Sequence, residues 1–407
     1  MYIADFLREL LPFDLDFLPP DAYLVGGVVR DALLHRKRDY IDLDFVMPKG
    51  AVETARFIAR KYGMGFVVLD AQREIARVVF PSATVDFAKQ EGDSLVDDLC
   101  RRDYCLNAIA LNLYNKEIID PLEGQKDLEQ GIIRMVSSKN LEDDPLRILR
   151  AYRQASQLGF TIDSKTRNTI KQLSPLLCQV AAERVKTELN YLLQSNNGNY
   201  WLQQAYQDSV LSHWLENITS EKITNLFKID ETLTILSKKY PQFKNLTPEF
   251  LALAKLSCLT SQNVDIAKTE LLKLKPSKNE IKAVTTTIKY LPELLNFSKK
   301  TTLREQYFFF LNIGNIFPLI ALRATSLQSN NQPLIDQLIK RYFDNHDLVA
   351  HPQSLITGND LITELNLKPS PLIKEILTEV QIAHIEGKIN NSAQAINFVQ
   401  TYLDSQN

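Results

Sequence analysis

The sequence predicts an α+β head followed by an all-α remainder. Three observations carry that reading. Strand-like runs rich in β-branched and aromatic residues are concentrated in the first third of the 407-residue chain. From about Asp143 onward, apolar residues recur at helical spacing with almost no strand pattern. The length itself exceeds a usual single domain, so roughly two to four units are expected.

Taken in order, residues 1–20 read as a short helix that ends before the Pro19-Pro20 break. Leu24-Val25 is a short apolar segment, Gly26-Gly27 a tight turn, and an amphipathic helix starts near Val28. Ile41-Asp42-Leu43-Asp44-Phe45-Val46 alternates as a strand does. Val52 to Tyr62 has helical spacing, and residues 65–69, 75–80 and 84–87 read as strands. Cys105 to Leu113 is apolar and fits either helix or strand. Asp120-Pro121-Leu122-Glu123-Gly124 reads as a turn leading to a helix cap. Leu146, Leu149, Ala151, Tyr152 and Ala155 mark a helix closed by Gly159. Further helices run over 164–173 and 180–193, and Ser195-Asn196-Asn197-Gly198-Asn199 marks a boundary. Beyond it, helix follows helix, separated by turns such as Lys275-Pro276-Ser277. The expected units are a head over 1–137, a helical neck over 138–200 and a helical body and tail over 201–407.

A formal net charge of −2 gives no global pull towards nucleic acid, so any RNA binding must come from a local basic surface. The four cysteines lack metal-ligand spacing and read as reduced thiols of a cytoplasmic protein. The N-terminus lacks the basic start and apolar core of a signal peptide. No apolar run approaches membrane-spanning length, so no membrane partner is expected.

The chemistry-bearing residues cluster in the first half. Asp42 and Asp44 share one face of their strand, where two carboxylates repel each other. Divalent metal ions neutralise and orient such a pair. Asp86, on another strand-like element, supplies the third carboxylate that a two-metal site favours. The Gly26-Gly27 turn frees backbone N–H groups to meet a phosphate, with Arg30 close behind. Arg101-Arg102-Asp103 and Asn107 gather two guanidinium groups, a carboxylate and an amide. Asp103 and Asn107, four apart, would share a helical face and read ribose hydroxyls. Asp144 and Arg147 offer acceptors and donors that match the Watson–Crick edge of a base, with Arg150 and Arg153 following on the same face. Arg184 and Glu188 read as a helix-stabilising pair at i, i+4. His346-Asp347 reads as a solvated helix end, since no further histidines stand at metal spacing.

Gly26-Gly27-x-x-Arg30-Asp31 followed by Asp42-x-Asp44, then Arg101-Arg102-Asp103-Tyr104-x-x-Asn107-Ala108, resembles the class II tRNA nucleotidyltransferases and bacterial poly(A) polymerases. The resemblance is dense over about residues 20–190 and thin beyond. It implies a polymerase-β-like head with a small mixed sheet, then a helical neck, body and tail. It also implies Mg2+ on Asp42, Asp44 and Asp86, and a nucleotide held by Gly26, Gly27, Arg30, Arg102, Asp103, Asn107, Asp144, Arg147, Arg150 and Arg153. In the family, a Glu-Asp-x-x-Arg segment selects the base. Here its first position is Asp143, which weakens the carry-over of that acid alone. The segment Leu355 to Pro371 resembles the family's tRNA-holding tail.

The resemblance also bears on the product. The family's flexible loop between the third acid and the Arg-Arg-Asp segment is nearly absent here, since only Ala88 to Cys100 intervenes. That resembles the CC-adding enzymes. The implied activity is addition of two cytidines from CTP to a tRNA lacking its 3′ CCA, with a separate A-adding enzyme acting afterwards. The alternatives are a full CCA-adding enzyme that also uses ATP, a poly(A) polymerase, and a catalytically inactive RNA-binding module. The last would have lost the metal acids, and all three are present.

Overall fold

A computed structural model describes residues 3–36, 40–327 and 331–404. The chain divides into two compact units, residues 1–214 and 215–407.

The first unit opens with α1 (Ile3–Glu9), shorter than the expected helix over 1–20, and a 3-10 turn at Leu15–Phe17. Then come β1 (Tyr23–Val25), α2 (Gly27–Leu33), β2 (Ile41–Met47), α3 (Ala51–Tyr62), β3 (Gly65–Asp70), β4 (Ile75–Val79), β5 (Ala83–Lys89) and α4 (Leu95–Cys100). The Cys105 to Leu113 stretch splits into a 3-10 turn at Cys105–Asn107 and β6 (Ala110–Asn112), followed by β7 (Ile118–Ile119). The seven strands form one sheet in the order β3-β4-β5-β2-β1-β6-β7. Only the β2–β5 pair within it is parallel; its register sets Asp44 beside Asp86 and Asp42 beside Thr84.

The alternation in β2 decides what the sheet does. Leu43 and Phe45 are buried on one face. Phe45 stacks on Phe87 at 5.7 Å, and both rings contact Phe13 at 6.3 and 6.1 Å. Asp42 is exposed and Asp44 half-buried on the opposite face. One apolar seam therefore clamps the strand that carries the acids, and a one-residue slip would reverse both faces.

After α5 (Gly124–Gln130), whose first N–H groups donate to Asp120 at 2.7 and 2.9 Å, the unit turns helical. A short β8 (Ile132–Ile133) pairs in parallel with β9 (Thr161–Ile162). The helices are α6 (Ser138–Asp143), α7 (Leu146–Leu158), α8 (Ser164–Leu173), α9 (Ala182–Gln194) and α10 (Gly198–Gln207). Gly159 ends α7 in the left-handed conformation, as its sequence position predicts. α10 lies beyond the Asn-rich stretch yet belongs to this unit. Trp201, Leu202 and Ala205 are buried, and the Tyr152 hydroxyl donates to Asp208 at 2.8 Å.

The second unit is helical throughout its described residues: α11 (Ser220–Lys239), α12 (Pro248–Leu259), α13 (Val264–Lys273), α14 (Lys278–Asn296), α15 (Leu303–Ile313), α16 (Phe317–Ser326), α17 (Gln332–Phe343), α18 (Gly358–Leu365), α19 (Pro371–Ile385) and α20 (Ser392–Asp404). The Ser, Thr and Asn turns act as N-caps: Ser277, Thr302 and Thr357 each form a reciprocal capping box. Ile356, Leu361, Ile376, Val380 and Val399 share a core that joins α18, α19 and α20. One expectation needs correction. The segment Leu303–Ser326 is long and apolar enough to cross a membrane, with mean hydropathy 1.4. A Gly314 break divides it, and 67% of its apolar eighteen-residue stretch is buried, as in a core helix. Hydropathy alone does not separate the two cases.

Candidate active site

Gly26 sits at φ 78° and ψ −138°, a region open to glycine but not to side chains. A Cβ there would lie 3.3 Å from Arg102 Nη1 and 3.5 Å from Asp44 Oδ2. The turn between β1 and α2 therefore lets an acid and a guanidinium close on the backbone. The cleft at this point has a volume of about 580 Å³. Gly26, Gly27, Arg30, Asp42, Asp44, Arg102, Asp103, Asn107, Asp144, Arg147, Arg150 and Arg153 all line it. Of the thirteen residues expected at the site, Asp86 alone is not on its wall.

Asp86 lies beside Asp44 but is turned to Arg77 of β4, which donates to its two oxygens at 2.7 and 2.8 Å. Asp42 accepts from Thr84. Burial, reinforced by the neighbouring Asp86 carboxylate, pushes Asp44 up to about 6. Among the described residues no three His, Cys, Asp or Glu side chains converge as a ready metal cage. What the cleft offers is a pair of hard oxygen donors on β2, crowded enough that a divalent cation would relieve them. That donor set fits magnesium better than a softer metal.

The arginines differ in how free they are. Arg102 Nη2 donates to Asp98 at 3.0 Å, while its Nε is buried without a hydrogen-bond partner. Arg150 pairs with Asp103 at 3.1 Å, and its Nε is likewise unpartnered. Arg30 is held from three sides, by Asp31 at 2.7 Å, Asn107 at 2.8 Å and Gln154 at 3.4 Å. Arg153 donates to Glu188 and, at 2.7 Å, to Gln157.

Asp103 and Asn107 do meet, at 2.9 Å, but on a 3-10 turn rather than an α-helical face. Both are buried among protein partners. Burial alone would raise Asp103. Arg150, with hydrogen bonds from Asn107 and the Tyr104 N–H, outweighs it and holds the carboxyl below its usual range.

Asp144 stands between α6 and α7, and Arg147 opens α7. Arg147 Nη1 donates to the Arg101 carbonyl at 2.7 Å, and the Tyr104 hydroxyl donates to the Arg147 carbonyl at 2.6 Å. Asn140 adds bonds to the Cys100 and Arg102 carbonyls at 2.8 and 2.7 Å. The Arg-Arg-Asp segment and the start of α7 are thus one hydrogen-bonded piece.

The expected Arg184–Glu188 pair is not the pairing found. Arg184 reaches Asp144 at 2.9 Å, and Glu188 accepts from Arg153. Both choose cross-helix partners over a pairing along one helix. At the His346-Asp347 pair, Asp347 is paired with Arg341 at 2.8 Å.

Sequence reading missed Gln154. It is buried, accepts from Asn107 at 3.0 Å and donates to Asp103 at 3.3 Å. Its position four residues after Arg150 places it on the arginine face, a signal that was present. Arg77 carried no comparable signal, and Arg184, read as the partner of Glu188, carried none for its pairing with Asp144.

Comparison with known proteins follows this geometry. Residues 22–134 match the poly A polymerase head domain, and residues 159–222 the RNA and SrmB- binding site of polymerase A. Residues 244–399 match tRNA nucleotidyltransferase domain 2. A CC-adding tRNA nucleotidyltransferase of Synechocystis sp. is 47% identical over 98% of this chain and 97% of that protein. The chain belongs to the tRNA nucleotidyltransferase family. A second member named CC-adding, from Halalkalibacterium halodurans, is 28% identical over 92% of each chain. A Streptococcus pneumoniae member named CCA-adding enzyme is also 28% identical, over 93% of this chain and 92% of its own. At that distance, identity does not sort the tRNA nucleotidyltransferases by product. The fold matches a CCA-adding enzyme solved with ATP, with a TM-score of 0.74 at 22% identity over 94% of this chain and 91% of that one. It also matches the Thermotoga maritima CCA-adding enzyme complexed with tRNA, with a TM-score of 0.68 at 22% identity over the same shares.

Proposed function

We propose that this chain adds two cytidines from CTP to the 3′ end of a tRNA lacking its CCA, with no nucleic acid template. The observation that carries the reading is that Asp42 and Asp44 open into the same cleft as Asp144 and Arg147. Catalytic acids and a base-reading pair thus face one nucleotide. Asp42 and Asp44 would hold Mg2+; Asp86, gripped by Arg77, contributes its charge from beside them. When bound, the metal stabilises the negative charge of the triphosphate and of the attacking 3′-oxygen. The 3′-hydroxyl gives up its proton to water, its oxygen forms the new bond to the α-phosphorus, and pyrophosphate leaves with the electrons of the broken bond between that phosphorus and the bridging oxygen.

The chain's own residues do the positioning. The guanidinium groups of Arg102 and Arg150, on the cleft wall, are donors for phosphate oxygens. Asp144 and Arg147 supply an acceptor and donors to the cytosine edge. Asp103, Asn107 and Gln154 fix Arg150 and Arg30 from behind rather than meeting the ribose themselves.

The stop after two cytidines rests on the connection between β5 and α4. Only residues 90–94 join them, and they are tied down. Glu91 pairs with Arg101 at 2.9 Å and Arg73 at 3.7 Å, and its N–H donates to Asp98 at 3.1 Å. Gly92, at φ 86°, lies so close to Asp97 that a Cβ would come within 2.6 Å of that residue's Cβ. Such a connection cannot reshape the pocket for a larger base. The terminal A would then come from a separate A-adding enzyme in the same cytoplasm.

Labelled CTP and ATP offered with a tRNA lacking its 3′ end test the reading. Two cytidines and no adenosine are expected. Complete CCA would overturn the stop, a poly(A) tract would overturn the substrate, and no incorporation would overturn the enzyme.

A further inference from the structure

A second cleft, of about 970 Å³, shares Arg30, Arg36, Asp42 and Arg153 with the first and is lined further along by the C-terminal parts of α7 and α9. Its chemistry differs from that of the nucleotide cleft. Tyr191 on its wall is 50% exposed. α9 buries Val185, Glu188, Leu189, Leu192 and Leu193, which turns Tyr191 away from the helix packing. Arg153 lies 6.0 Å from the ring centroid and is kept there by Glu188 and Gln157. Arg36, exposed on the same wall, anchors one guanidinium nitrogen on the Gln157 carbonyl at 2.9 Å. A lone exposed aromatic residue needs no explanation. This one has an arginine over its ring and faces a cleft whose wall also carries Arg36 and the catalytic acid Asp42.

Resting on the function proposed above, we infer that this second cleft receives the unpaired 3′ end of the RNA acceptor, with Tyr191 as the stacking platform for its last base. The reacting 3′-oxygen must reach Asp42 without crossing the bound triphosphate, and this cleft continues from the nucleotide cleft past Asp42 towards the C-terminal ends of α7 and α9. A single-stranded end presents a phosphate chain and a π-face. Arginine beside an exposed aromatic ring matches both, without reading sequence.

The test is equilibrium binding of a hairpin RNA with one unpaired 3′ nucleotide, compared with the same hairpin made abasic at that nucleotide. The unaltered chain is expected to bind the abasic hairpin about tenfold more weakly, a difference of about 1.4 kcal/mol. Tyr191→Ala is expected to bind both hairpins at the weaker level, and Tyr191→Phe to restore the preference for the base. If Tyr191→Ala keeps the tenfold preference, or the unaltered chain shows none, the inference is overturned. Those outcomes would leave CTP incorporation by the unaltered chain intact. Failure of the proposed function would show separately, as no nucleotide added by that chain.

Discussion

Arg184 on α9 grips Asp144, at the junction of α6 and α7, through two hydrogen bonds of 2.9 and 3.2 Å. The residues are forty positions apart, and the contact fixes which way the carboxylate faces. A planar fork on a carboxylate fixes its plane as well as its position. Because Arg184 is half exposed, the pair adds only about 0–1 kcal/mol to stability. Its effect is expected on selection instead. Arg184→Ala should raise the KM for CTP about tenfold, or about 1.4 kcal/mol, and weaken discrimination against UTP. Arg184→Lys should rescue neither, because lysine lacks the fork. Steady-state kinetics with CTP and UTP, beside a melting curve, check this.

Asp42→Asn and Asp44→Asn should each lower incorporation by about a thousandfold or more if these carboxylates hold the metal. Binding of tRNA should persist. In the metal-free protein the substitution at Asp44 should not destabilise. Burial and crowding push that carboxyl up to about 6, so the charge it carries at neutral pH is less well accommodated in the folded chain than in the unfolded one. A melting midpoint in chelator that stays level or rises, by about 1 kcal/mol in stability, is the expected result.

Gly26→Ala places a Cβ at φ 78°, against Arg102 and Asp44. The strain is of order 1–3 kcal/mol, and the displaced groups are those that face the nucleotide. A loss of kcat well beyond the loss of stability is expected, measured by single-turnover incorporation and by unfolding of the same variant.

Asp208 ties α10 to α7 and α8: it accepts from Tyr152 at 2.8 Å and pairs with Arg167 and, at 3.3 Å, with Lys171. Burial raises its carboxyl, but the bonds from Arg167 and Tyr152 outweigh that and hold it below its usual range. The folded value lies below the unfolded one. Its contribution is therefore fully present above about pH 4 and is lost as the pH falls through the lower folded value. Asp208→Asn should cost roughly 2–3 kcal/mol at neutral pH and flatten the acid limb of a stability profile, read by denaturant unfolding.

Much of this was legible in the sequence because it is local. Alternation in Ile41 to Val46 placed Asp42 and Asp44 on one face, and the structure has them there. The helix ending at Gly159, the helix over 164–173 and the helical second half followed from spacing and punctuation. Arg147, Arg150 and Arg153 reach one cleft because three-residue steps share a helix face.

Tertiary structure decided the partners. Arg184 takes Asp144 rather than Glu188, Glu188 takes Arg153, and Arg77 takes Asp86 away from the cleft. It also decided that α10 joins the first unit and that Leu303–Ser326 is core. The physical reason is range. Periodicity and turn chemistry act over a few residues and are written in order along the chain. A charged side chain pairs with whichever opposite charge the packed elements bring within about 3 Å, and nothing in the linear order records that meeting.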